Sequence, residues 1–376
     1  AADLTIARLF AAPDLSGPTL RSAAFSPDGR HITYLRAKDS AKDVYDLWTF
    51  DIATKHHALL VDSAHLVTPG STLSAEEEAR RERQRTSSLG GILEYDLSAD
   101  GRRILVPLGG DLYTYDLDAS PGRAVRRLTD TPASETDAKF SPGGRYVSFI
   151  RDANLHAIEL SSGREIAITQ GGGGPVSYGV AEFIAQEEMS RNTGNWWSPD
   201  ERYIAFTRVD ESAVAEIERF EVYADSLKVV KQRYPATGAR NADVQLYVTR
   251  IGKGPAVRVD LGANADIYLA RVQWLPDSRA IAVQRQSRDQ KTLTLLKADA
   301  ASGATRKLLE EHSDTWVDVC DELTFVSDRG DFLWGSSRSG FNHLYLHDAD
   351  GQLQHAVTSG EWMVAGEDRG DAMRAI

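Results

Sequence analysis

The 376-residue sequence predicts an all-β fold, a β-propeller of four-stranded blades with short helical insertions. Three observations carry this expectation. A turn phrase, an aromatic or Leu followed by Ser-Pro-Asp-Gly-Arg or a decayed form of it, recurs along the chain. It reads FSPDGR from Phe25, LSADGR from Leu97, FSPGGR from Phe140 and WSPDER from Trp197, with weaker copies WLPDSR from Trp274 and FVSDRGD from Phe325. After each copy comes an alternating run such as HITYLR, RILVPL, YVSFIR, YIAFTR, AIAVQR or FLWGSS. A second phrase follows every first one: DLWTFD from Asp46, DLYTYD from Asp111, NLHAIE from Asn154, QLYVTR from Gln245, TLTLLK from Thr292 and HLYLHD from His343.

A two-residue hydrophobic period bounded by turn formers means half-buried strands joined by hairpins. Asp-Gly and Ser-Pro-Asp supply the backbone angles of tight turns. Several second phrases lead into another short β-like run (HHALL, AVRRLT, AVRVDL), so one unit holds four strands. Repetition at blade length is the mark of a propeller, whose blades typically run about 40–50 residues. A β-sandwich or two small β domains would be the competing architecture, and six matched phrase pairs disfavour it.

Three stretches interrupt the rhythm. In STLSAEEEARRERQRTSSLGG, Ser74 and Glu77 have capping-box spacing, and Glu76–Arg80 and Glu77–Arg81 are i,i+4 ion pairs. A helix is therefore predicted from about Ala75, in an insertion over about 74–86. The segment GGGGPVSYGVAEFIAQEEMSR opens on a glycine run and then offers a short helix or loop, an insertion over about 175–194 between the third and fourth units. A third insertion, about 210–242, expands the fourth blade. Six units occupy about 22–358 of a propeller domain spanning 1–362, and the remaining residues, 363–376, are unassigned. The final run EWMVAGEDRGDAMRAI could begin a seventh strand set. An open ring exposes strand edges, so either a terminal strand pairs with the last blade or the natural protein continues past Ile376.

Composition narrows the function classes. The chain is 41% hydrophobic and 26% charged, with net charge −12. No apolar run approaches the roughly 18 residues of a membrane helix, so no membrane partner is expected. An acidic surface without a basic stripe argues against nucleic acid. The one cysteine, Cys320, precludes an internal disulfide; alternating with apolar neighbours, it is expected to line a strand, with no partner set for a nucleophile. The start AADLTIARLF lacks Met and fits either a mature secreted product or a cloning boundary, and a periplasmic or secreted location is the expectation. Asp210 and Glu211 have no His or further acid nearby, which favours a loop ion pair over a metal site; no metal or cofactor is expected. In GSSRSG the Gly-x-Ser-x-Gly spacing fails, because Ser339 stands two after Ser337, and no Ser-His-Asp set is recognisable. GGGGP from Gly171 lacks the strand-then-helix context of a phosphate cradle.

The most informative stretch is FIAQEEMSRNTGNWWSPD, which sets Glu187 beside Glu188. Taken alone the pair is weak, since adjacent helical residues do not face the same way. Its surroundings are specific. YGVAEFIAQEEMSRNTGNWWSPDERYIAFTRVDESAV, from Tyr178 to Val214, resembles the propeller domain of the dipeptidyl peptidase IV family, serine exopeptidases of the prolyl oligopeptidase clan. RRERQRTSSLGGILEYDLSADG and SSRSGFNHLYLHD resemble the same family, especially its bacterial and cytosolic branches, and the likeness runs from about residue 20 to 362. The resemblance implies an eight-bladed propeller capping an α/β-hydrolase domain, with the active site between them and dipeptides released from N-termini carrying Pro or Ala second. It implies that Glu187 and Glu188 bind the substrate α-ammonium, with Gln186 where some relatives have a third acid. An arginine gripping the carbonyl of the penultimate residue or the substrate terminus maps to Arg85, or to Arg83 if the register of the arginine run shifts. The catalytic set would lie in a hydrolase domain after the propeller and outside this chain, leaving the chain inactive by itself. Implied partners are peptides with free N-termini and that hydrolase domain; a homodimeric parent is left open.

Like charges a few ångströms apart cost free energy until a cation neutralises them. An ammonium does so through charge-assisted hydrogen bonds, and a pinned amine also measures where the chain is cut. Tyr178, Trp196 and Trp197 could shape a pocket for a small side chain, although aromatics beside a blade turn are commonly core. Two other readings remain open: a stand-alone TolB-like propeller that scaffolds partners without catalysis, and a pseudo-enzyme that keeps the clamp as a peptide sensor.

Overall fold

The structure, a computed structural model, describes residues 4–11, 15, 17, 20–66, 75–120 and 123–364. Its recurring turn works through the serine. Ser26 Oγ donates to Asp28 Oδ1 at 2.6 Å and accepts from the His31 backbone N–H at 2.9 Å. Ser98 repeats both bonds with Asp100 and Arg103 (2.6 and 2.9 Å), and Ser198 repeats them with Asp200 and Tyr203 (2.7 and 2.9 Å). The hydroxyls hold the Asp28 and Asp100 carboxyls below their ordinary range. The glycine position of the phrase is left-handed, with φ 67° at Gly29 and 68° at Gly101; in the decayed copies Glu201 (58°) and Ser278 (59°) keep the same angle. Non-glycine residues pay about 1–2 kcal/mol for it.

Among the described residues, six sheets carry the repeat. The first runs Leu20–Phe25, His31–Lys38, Ala41–Asp51, His56–Val61, with Gly90–Gly91 added in parallel to the third strand. The second is Asp96–Leu97, Arg103–Leu108, Asp111–Asp116, Val125–Arg127, and the third is Thr136–Phe140, Tyr146–Arg151, Asn154–Glu159, Arg164–Ala167. In the fourth, Tyr203–Asp210, Asp243–Arg250 and Lys253–Arg258 follow a divided first strand. The fifth is Ile267–Trp274, Ala280–Ser287, Thr292–Asp299, Thr305–His312, and the sixth is Thr324–Phe325, Phe332–Ser336, His343–His347, Leu353–Ala356. Each joins its four principal strands in sequence order, as up-and-down antiparallel blades do.

The second phrase supplies the third strand, and its Leu is stapled to a threonine just after the fourth. Leu112 N donates to Thr129 Oγ1 and Leu155 N to Thr169 Oγ1, both at 2.9 Å, and Leu344 N donates to Thr358 Oγ1 at 3.0 Å. Second strands such as Tyr146–Arg151 are buried almost throughout, whereas the fourth strand Leu353–Ala356 is exposed along its length. The chain divides into two compact units, one holding Ala1–Arg151 and Ala157–Glu165, the other Asp152–His156 and Ile166–Gly366. The first is centred on Leu35, Leu47, Ile92, Ile104 and Val106, and the second includes a core of Leu246, Val248, Leu269, Ile281 and Val283.

Among the described residues three α-helices break the β pattern: α1 (Ile6–Phe10), α2 (Ala75–Arg83) and α3 (Phe183–Glu187). The fourth-blade insertion is a two-stranded hairpin, Glu216–Val222 with Leu227–Arg233, whose pairs Phe220↔Val229 and Val222↔Leu227 are solvent-exposed. Two expectations are corrected. Cys320 is buried but lies in no strand; Gln284 on the central strand Ala280–Ser287 donates to its carbonyl at 2.6 Å and accepts from its N–H at 3.2 Å, so a side-chain amide replaces a ladder. The glutamate-bearing insertion falls inside the first strand of the fourth blade, not between blades. The expected seventh strand set falls largely on 365–376, outside the described residues, and 361–364 form no strand.

Candidate functional site

The excursion carrying the glutamate pair leaves and re-enters one strand at Thr207. Val176–Tyr178 pairs with residues 208–210, and Asn195–Trp197 pairs with 204–206, so Thr207 faces the break. Its backbone binds both ends: Gly179 N donates to Thr207 O at 2.8 Å, and Thr207 N donates to Gly194 O at 2.9 Å. Its hydroxyl donates to Val180 O at 2.6 Å, and Asn195 Nδ2 donates to Gly179 O at 3.1 Å. The two arms come so close that a Cβ on Gly194 would stand 2.2 Å from Val180 O and 2.4 Å from Thr207 Oγ1. Only glycine fits there.

Between the arms sits α3. Ala185 is fully buried, and Met189, one helical turn later, packs with Tyr268 and Ala270. At 100° per residue this points position 187 away from the buried side, while 188 falls at its flank, where the helix has already ended. Glu187 ends the helix, Glu188 is its C-cap (φ −109°, ψ −26°), and both are exposed. Ser190 follows in the left-handed region at φ 52°, and Arg191 N donates to Ala185 O at 2.8 Å, turning the chain back. Among the described residues neither carboxylate has a hydrogen-bond or salt-bridge partner.

The turn is anchored by residues that carry no local sequence signal. Arg191, its side chain 4% exposed, donates from Nη2 to Glu182 Oε2 at 2.5 Å, from Nη1 to Thr193 O at 2.8 Å and from Nε to Leu269 O at 3.1 Å. Its guanidinium lies 5.9 Å from the Trp196 ring centroid. Glu182 is the N-cap of α3, yet its side chain makes no cap bond because Arg191 claims it. A nine-residue separation matches neither helix nor strand period, so only the folded loop reveals the pair.

Arg85 belongs to the other unit. The arginine run is not one solvated face. Arg80 is bonded to Glu77 at 3.2 Å and to Glu94; burial would depress its pKa, but Glu94 and Glu77 more than offset this and raise it. Arg81 Nε donates to Glu77 at 2.7 Å. Arg83 is half-buried and has partners within the chain. The helix stops at Arg83. Thr86 N donates to Arg81 O at 2.8 Å and Arg85 N to Glu82 O at 3.0 Å, the paired bonds of a Schellman ending. Arg85 thus holds the left-handed C′ position (φ 56°) usually given to glycine, with its side chain exposed. Beneath α2 lies a polar cleft of about 40 Å³ lined in part by Glu77, Arg80, Glu94 and Glu135. The expected Ser74 cap and the Glu76 side chain lie outside the described residues. Replacing Arg85 by Gly is expected to raise stability by about 1 kcal/mol, because the left-handed penalty disappears and no side-chain bond is lost. Equal or lower stability in denaturant melts would contradict this assignment of strain.

Tyr178 is already engaged. It is half-buried, directly opposite Arg208 on the paired strand, and edge-on to Phe206 at 6.4 Å. Trp197 is buried, and Trp196 packs on the fourth- and fifth-blade core while its carbonyl accepts from Trp274 Nε1 at 2.9 Å. Asp210 pairs with Arg208 at 3.0 Å. Among the described residues no three His, Cys, Asp or Glu side chains gather to hold a metal. The GSSRSG phrase lies in the hairpin between Phe332–Ser336 and His343–His347.

Comparison with known proteins agrees with this layout. The family described as dipeptidyl peptidase IV (DPP IV) N-terminal region matches residues 98–373. The chain is 29% identical over 307 residues to a protein of Phaeosphaeria nodorum named probable dipeptidyl-aminopeptidase B, covering 71% of this chain and 33% of that one. It is 25% identical over 263 residues to dipeptidyl peptidase 4 of Arthroderma otae, covering 66% and 34%. It therefore spans about a third of the length of these curated relatives. The crystal structure of Porphyromonas gingivalis dipeptidyl peptidase 4 shares the fold, with a TM-score of 0.72 at 24% identity over 92% of this chain and 47% of that one. With blades of the expected order and a family match over more than half its length, the chain belongs to the dipeptidyl peptidase IV N-terminal region family, an all-β propeller fold.

Proposed function

We propose that this chain is the substrate-gating propeller of a serine dipeptidyl peptidase releasing Xaa-Pro and Xaa-Ala dipeptides from peptide N-termini. Glu187 and Glu188 bind the substrate α-ammonium, Arg85 grips a substrate carbonyl, and the nucleophile and its base come from a hydrolase domain outside this chain. One observation carries the reading. Two neighbouring carboxylates are exposed, without a protein cation among the described residues, on a turn whose flanks are buried and bonded. A solvated acidic pair would need no such scaffold. An ammonium donating to each carboxylate gains charge-assisted bonds of about 1.5–3 kcal/mol apiece. The clamp then measures length: two extended residues reach about 7 Å, which presents the second peptide bond to the chemistry.

The test is calorimetry with Ala-Pro and its N-acetyl form. Acetylation removes the charge and leaves the carboxylate repulsion standing, so the free dipeptide is expected to bind at least about tenfold more tightly. Equal affinities, or no heat from either peptide at millimolar concentration, would sink the reading and favour a scaffold without peptide recognition.

A further inference from the structure

We propose that Arg191 is a positioning residue for the Glu187–Glu188 pair, a role that rests on reading that pair as an amine clamp. Besides the apolar packing of Ile184 and Met189, the excursion is held by its arms at Thr207 and by the buried guanidinium. Arg191 directs each nitrogen of its planar group to a different segment: Glu182 before α3, Leu269 on the neighbouring strand Ile267–Trp274, and Thr193 on the return arm. Its own N–H closes on Ala185 O. Glu187 and Glu188 stand at the apex of the loop so closed.

A buried ion pair is poor value as a source of stability, since desolvating both charges consumes most of the attraction. With side chains 4% and 6% exposed, the Arg191–Glu182 pair is fully subject to that cost. What the pair supplies is geometry. Adjacent carboxylates repel, and left alone would swing apart; a loop closed at its base by three directed donors keeps them within reach of one ammonium. Lysine cannot do this, because a point charge on a flexible stem has no fixed fork.

Arg191→Lys keeps the charge and removes the fork, so it separates geometry from electrostatics. Two readouts on the full chain are combined: amide hydrogen exchange across residues 183–190, and the affinity ratio of Ala-Pro to acetyl-Ala-Pro. Exchange in that segment is expected to rise at least about tenfold, with the sixth blade unchanged. The free-to-acetyl ratio is expected to fall by about tenfold to a hundredfold. Glu182→Gln, which keeps the size and an acceptor, is expected to give a smaller change in both and guards against a Lys variant that misfolds. Unaltered exchange in both variants overturns the brace. Raised exchange with an unaltered ratio overturns the positioning role and leaves Arg191 merely structural. Lack of discrimination by the wild-type chain overturns the clamp itself, and the positioning role with it.

Discussion

Gly194→Ala is expected to tear the excursion from its blade. The added Cβ would sit 2.2 Å from Val180 O, 2.4 Å from Val180 C and 2.4 Å from Thr207 Oγ1. Two of those atoms are backbone and cannot rotate away. The arms must part, which breaks the Thr207 bonds to Gly194 and Val180 and exposes Asn195, now 1% exposed. Overpacking of this kind costs about 3 kcal/mol or more when the backbone is the obstacle. Gly238→Ala is the control: its φ of 79° imposes a backbone penalty, but no atom lies within 4 Å of the added carbon. That variant should lose only about 1 kcal/mol. Denaturant melts, with limited proteolysis to locate new cleavage within 180–194, compare the two. If Gly194→Ala is no less stable than Gly238→Ala, the close approach of the arms is not what the structure describes.

Replacing both glutamates, Glu187→Gln with Glu188→Gln, is expected to abolish the preference for a free N-terminus. Losing two charge-assisted bonds of about 1.5–3 kcal/mol each weakens binding of Ala-Pro by about 10²- to 10⁴-fold. The acetylated peptide should bind no worse than before. The single variants should not sum to the double, because removing one carboxylate also relieves the repulsion on the other. Stability should move the opposite way. Neither side chain has a partner among the described residues, so neutralising them removes repulsion and should leave the melting temperature unchanged or slightly raised. Loss of stability in the double variant would mark the pair as structural, and retained free-amine preference would end the clamp reading.

The fold was legible because its unit is local. Ser26, Ser98 and Ser198 close their turns with partners two to five residues away, and Leu112, Leu155 and Leu344 meet their staples within one hairpin. Interactions of that range repeat whenever the phrase repeats, so alternation and turn chemistry suffice to find them. Glu187 and Glu188 were legible as candidates through the stretch around them, and the end of α3 at that point explains why two adjacent acids are both exposed. The arginine run was legible only in part. Its i,i+4 pair Glu77–Arg81 follows from spacing, but the Schellman ending that sets Arg85 apart from Arg83 does not.

Residue order by itself determined the blades, their strand order and the segments that interrupt them, since each depends on periodicity and on angles that Ser, Pro, Asp and Gly supply nearby. Only the tertiary structure decided that the fourth blade's first strand is split at Thr207, that Gly194 admits no side chain, and that Arg191 reaches Glu182 and Leu269. Strand pieces of three residues are too short to show a period. A guanidinium bonded to a residue 78 positions away leaves no trace in local spacing. Packing chooses among partners that the sequence merely makes available.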